Sequence, residues 1–206
     1  MAKLWLEWVV LFLGFPLLAF CGLIPAHPLL VLSIPFLYSI VAALLLKKRL
    51  LIAESRSAMR GFPPQLSWRM PVVVAAIFGY AFWAHPETFL TTPSTQSLPW
   101  LALLLIYPLI SVLPQEFLYR RFYFWRYKKV FGSQRWVAIS SVLTFSFLHI
   151  AYSNMVAITL TLVGGALFTA TYLHTKRLML CWAEHAIYGV AVFVSGLGQF
   201  FTLLHF

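Results

Sequence analysis

The sequence contains no aspartate, and charge of either sign is scarce. Acidic residues number five in 206, and charged residues make up 10%, against roughly 25% in a soluble domain. Set beside 62% hydrophobic residues, that shortage excludes an ordinary water-soluble enzyme. Cysteine is rare too: Cys21 and Cys181 both lie within apolar runs, which argues against a disulfide framework. No internal repeat is visible, so nothing favours a transporter built from repeated halves. The His-Glu-x-x-His pattern of helical zinc peptidases is also absent.

What is present is a series of long apolar runs. A spanning helix needs about 20 apolar residues, and the candidates are Leu4–Ile24, Leu29–Leu46, Met70–Ala84, Leu98–Tyr123, Trp136–Tyr152, Met155–His174 and Leu178–Ser195. The sequence therefore predicts an all-α, polytopic transmembrane bundle of about seven helices. The first run is read as an uncleaved spanning helix, because apolar sequence continues well past it.

The net charge of +10 would suggest nucleic acid in a soluble protein. Here the basic residues sit between the apolar runs. With the N-terminus inside, the inner segments hold one, six, six and two of them, which accounts for all 15. That one-sided distribution is the positive-inside pattern, and it fits anionic lipid headgroups rather than nucleic acid. The expected location is a bacterial inner (cytoplasmic) membrane, with the N-terminus and the Lys47–Arg69 loop cytoplasmic.

Against this background the stretch "LPQEFLYRRF", Leu113 to Phe122, stands out. It places a carboxylate and two arginines at the end of an apolar run, and an ionisable group inside a membrane is a functional candidate by default. The other such groups are His149 in the fifth run and Glu184 and His185 in the seventh. At 1.5 Å of rise per residue, Glu116 lies about 15 Å, His149 about 21 Å and His185 about 12 Å from the inner surface. All three could meet within a hydrocarbon core about 30 Å thick. Each also has a structural reading. Glu116 and Arg120 can pair at i, i+4, Arg121 can reach the headgroups, and Glu184 can serve as a packing partner. Glu7 can pair with Lys3 on its own helix. Gly164, Gly165 and Ala166 in the sixth run offer small faces for close helix packing, and Ser133 is a candidate N-cap for the fifth.

In order along the chain, these residues resemble the CPBP family, which includes the CAAX prenyl endopeptidases of the Rce type. Gln115-Glu116-Phe-Leu-Tyr-Arg120 stands at the family's Glu-Glu-x-x-x-Arg motif, Phe145 to His149 at Phe-x-x-x-His, and His185 to Gly189 at His-x-x-x-Asn. The resemblance spans about Leu98 to Ser195. It implies a glutamate-dependent intramembrane peptidase, in which a carboxylate activates water and histidines hold that water or the developing oxyanion. The implied catalytic residues are Glu116, His149, His185, Gln115 and Arg120, with no cofactor and no metal. Two positions depart from the motifs. Gln115 replaces the first Glu, and an amide has no useful basicity; Gly189 replaces the Asn. Glu116 is then the nearest carboxylate to act as base, with Glu184 in reserve.

Three readings follow. The first is an intramembrane endopeptidase that cuts a membrane-associated peptide or protein: a prenylated tail, a peptide precursor or a sorting anchor. The second is a catalytically silent scaffold or immunity protein that binds a peptide or helix. The third is a zinc metallopeptidase with His149, His185 and a Glu as ligands. The expected organisation is residues 1–97 as N-terminal helices and a basic loop, 98–195 as the protease-like core, and 196–206 as a short tail.

Overall fold

A computed structural model describes residues 1–23, 37–38, 40–41, 44, 63–91 and 104–201. The expected helix at Leu29–Leu46 and the Lys47–Arg69 loop lie largely outside these residues. Among the described residues every regular element is helical. The helices are α1 (Ala2–Phe20), α2 (Pro64–Ala84), α3 (104–126), α4 (Lys128–Phe131), α5 (Gln134–Leu148), α6 (Met155–Thr175) and α7 (Leu178–Ser195). Four of them, α1, α2, α6 and α7, are long and apolar enough to cross a membrane. The chain is an integral membrane protein with an all-α bundle.

Local chemistry sets several boundaries. Ser133 caps α5, its Oγ accepting from the Trp136 amide at 3.3 Å, and Asn154 caps α6 through the Ala157 amide at 2.8 Å. α2 begins at Pro64, six residues before the apolar run read from the sequence, because proline fits the first turn of a helix. α5 closes in a tighter turn, His149–Tyr152, so His149 stands just beyond the α-helix rather than within it. α3 is irregular. Pro108 and Pro114 remove donors from its hydrogen-bond ladder, and wide π-type turns occupy Pro108–Val112 and Phe117–Phe122.

α6 packs on α5 and α7, and α7 packs on α2. Gly165 permits the α5–α6 contact: a Cβ there would lie 2.9 Å from the Phe145 ring, so a side chain would push the helices apart. α1 docks on the C-terminal half of α3 through aromatic edges, with the fully buried Phe12 ring 4.9 Å from that of Tyr123 and 5.4 Å from that of Tyr119. Trp8 donates to the Tyr123 hydroxyl at 2.6 Å. Glu7 takes a two-pronged grip from Arg126, at 2.9 and 2.6 Å, in place of the expected Lys3. A guanidinium matches both carboxylate oxygens at once, which an ammonium cannot do.

Candidate active site

Glu116 and Arg120 are fully buried. One oxygen of Glu116, Oε1, lies 2.9 Å from His185 Nδ1, and Oε2 lies 3.3 Å from Arg120 Nε. Arg120 also donates to Ser141 Oγ at 3.1 Å and to the Gly165 carbonyl at 3.3 Å, and its guanidinium lies over the Phe145 ring at 5.1 Å. The arginine of α3 thereby ties α5 and α6 together, while Glu116 reaches α7. A buried charge needs such partners. Arg121, expected at the headgroups, is buried instead; the wide turn that contains it alters the usual angular step, so neighbouring arginines both face protein.

The histidines meet at a cavity of about 130 Å³ between α2, α3, α5, α6 and α7. Gln115, His149 and His185 all line it, with Ser111, Tyr107 and an otherwise mostly apolar wall. Hydrogen-bond chemistry fixes the tautomers. His149 Nδ1 lies 2.9 Å from the Phe145 carbonyl. A carbonyl only accepts, so Nδ1 carries the proton and Nε2 keeps its lone pair. His185 Nδ1 faces a carboxylate, so it also carries a proton, and Nε2 is its open nitrogen. The His185 ring is held flat against Phe168, with centroids 4.5 Å apart. Gln115 Nε2 donates to Ser111 at 2.9 Å, while its buried Oε1 has no hydrogen-bond partner among the described residues.

The pieces named by the sequence therefore fall into two layers. Gln115, His149 and His185 stand on the cavity wall. Glu116 is absent from the residues that line it, and both its oxygens face inward, to His185 and Arg120. Glu184, the reserve base, belongs elsewhere. It is fully buried and accepts from Arg69 at 2.7 Å, Tyr188 at 3.0 Å and Thr171 at 2.6 Å. Arg69 also donates to Thr171. A carboxylate with this many donors is a pin between α2, α6 and α7. Arg69, read from the sequence as part of a cytoplasmic loop, lies instead in α2 as its counter-charge.

Tyr107 was not singled out by its sequence. It sits in an apolar run, with no motif around it. Its hydroxyl packs so closely on Gly189 that a Cβ at 189 would collide with it. The place that the Asn side chain of the resembled motif would enter is thus filled from α3.

Residues 96–191 match the family described as Type II CAAX prenyl endopeptidase Rce1-like. The segment is an Rce1-like domain. It begins before α3 and ends within α7, so it holds Tyr107, Gln115, Glu116, Arg120, His149 and His185, and it bears out the resemblance to CPBP proteins. No curated protein and no solved structure matches the chain. The zinc reading finds no support in the Rce1-like domain. Among the described residues no group of three or more His, Cys, Asp and Glu side chains could hold a metal ion. The two histidines that share the cavity present one open nitrogen each, and the nearest carboxylate is spent on His185 and Arg120.

Proposed function

We propose that the chain is an intramembrane endopeptidase that hydrolyses a peptide bond of a membrane-associated protein or peptide. The observation that carries this reading is the convergence of Gln115, His149 and His185 on one cavity, with Glu116 buried behind His185. Peptide hydrolysis needs a base for water and donors for the tetrahedral oxyanion. His149 Nε2 takes the proton from water as the oxygen attacks the carbonyl carbon, and it returns that proton to the amine nitrogen as the C–N bond breaks. Gln115 Oε1 accepts the other hydrogen of the water and so orients it. His185, in its protonated form, donates from Nε2 to the carbonyl oxygen, and Glu116 balances the charge on the ring. The glutamate dependence of the reaction then runs through His185, not through a direct base. The apolar walls keep bulk water out, which strengthens each of these interactions.

The absence of a carboxylate among the described lining residues favours a second reading, a silent member that binds a peptide or helix. Incubating the purified protein with prenylated and unprenylated C-terminal tail peptides separates the two. Cleavage supports the peptidase; tight binding with no cleavage in any peptide supports the scaffold. The same assay after treatment with a strong chelator is expected to show unchanged turnover. Loss of turnover that zinc restores would return the metallopeptidase to first place.

We assign the protein to a bacterial cytoplasmic membrane with the N-terminus inside. Cysteines placed at Ser57 and Ser94, in a background lacking Cys21 and Cys181, test this. An impermeant thiol reagent applied outside whole cells is expected to label position 94 and spare 57. The opposite pattern would invert the topology.

A further inference from the structure

We infer that the Tyr107 hydroxyl is a hydrogen-bond donor to the substrate's carbonyl oxygen, standing beside His185 in the oxyanion site. The inference rests on the peptidase reading. Tyr107 lines the same cavity as His149 and His185. Its ring meets that of His185 edge-on, centroids 6.5 Å apart, and that of Phe193 likewise at 5.2 Å. α7 makes room for it only at Gly189, one turn beyond His185. A Cβ there would meet the hydroxyl, and the ring carbons Cε1 and Cζ at 2.6 and 2.7 Å. The ring is therefore seated against bare backbone, with its position set from two sides. Among the described residues no hydrogen bond occupies the hydroxyl, although the Ser111, Gln115 and His149 side chains around the same cavity each have at least one. A phenol on the wall of a mostly apolar cavity, with no hydrogen bond among the described residues, is a donor available to a ligand, and a carbonyl oxygen that gains charge during the reaction is the acceptor it suits. Preorganisation is the point: the donor is already in place and costs no rearrangement when charge develops.

The geometry also predicts an exchange between positions 107 and 189. A side chain at 189 would project into the space now held by the phenol. Gly189→Asn alone brings an amide donor but collides with the ring. Combined with Tyr107→Ala, the same amide enters the vacated space and supplies the missing donor.

The test measures kcat and KM for a peptide that the wild-type protein cuts, with a detergent melt for each variant. Tyr107→Phe keeps the ring and its packing, so the melt is expected to be unchanged while kcat falls about 10²-fold, the effect of losing one oxyanion donor, with KM nearly constant. Tyr107→Ala is expected to be equally slow, and Tyr107→Ala with Gly189→Asn to regain part of the rate. A Tyr107→Phe protein that cuts at the wild-type kcat overturns this inference and leaves the peptidase reading standing. A fall in kcat matched by a lower melting temperature, with no rescue by the double variant, overturns it as well, because the residue would then only pack. A wild-type protein that cuts no peptide removes the peptidase reading, and this inference with it.

Discussion

His149→Ala is expected to lower kcat for peptide cleavage by about 10²- to 10⁴-fold, the range for losing a positioned general base, in a protein that still folds. The ring's hydrogen bond from Nδ1 to the Phe145 carbonyl, at 2.9 Å, ends a turn that Ser153 and Asn154 also define, so the backbone there has other supports. Glu116→Gln makes the informative contrast. The amide at 116 carries no charge, so His185 Nδ1 loses its carboxylate acceptor and the guanidinium of Arg120 loses its counter-charge. Rate and melting temperature are expected to fall together in that variant, whereas His149→Ala loses rate with a small change in melting. Kinetics and detergent melts on the two proteins check this. A His149→Ala protein with wild-type turnover would move the base to another group, with the Glu116–His185 pair next in line.

Arg120→Ala is expected to cost about 3–5 kcal/mol of stability, the usual penalty for leaving a buried charge without its partner. The residue is fully buried and joins three helices through Glu116, Ser141 and the Gly165 carbonyl. Arg120→Lys is expected to recover little, since an ammonium cannot form the planar fork that reaches two helices. The double change Glu116→Gln with Arg120→Met removes both charges and is expected to melt higher than Arg120→Ala alone, because no uncompensated charge remains. It should still be inactive, because His185 has lost its carboxylate. Equal melting of Arg120→Ala and the wild type would mean that the pair contributes nothing to the fold.

The sequence by itself determined that the chain is a membrane protein of helices, because about 20 apolar residues in a row have no other stable arrangement in lipid. α7 runs from Leu178 to Ser195, and the Ser133 cap stands where its chemistry put it. The motif residues Gln115, Glu116, Arg120, His149 and His185 were also legible, since polar groups in apolar runs are rare and costly. What only the tertiary structure decided is which way each of them faces. Gln115 and Glu116 are neighbours in sequence, yet one lines the cavity and the other is turned to His185 and Arg120. Adjacent residues on a helix point about 100° apart, so no linear pattern says which one meets the site. The exchange of Lys3 for Arg126 at Glu7, and the recruitment of Arg69 to Glu184, were hidden for a related reason. A carboxylate packed between helices takes whichever cation the packing brings within reach, here from 119 and 115 residues away. Tyr107 left no trace in the sequence, because an aromatic residue in an apolar run looks like any other packing residue. Its place became visible only when α3 and α7 met at Gly189, where the absence of a side chain on one helix admits the hydroxyl of the other.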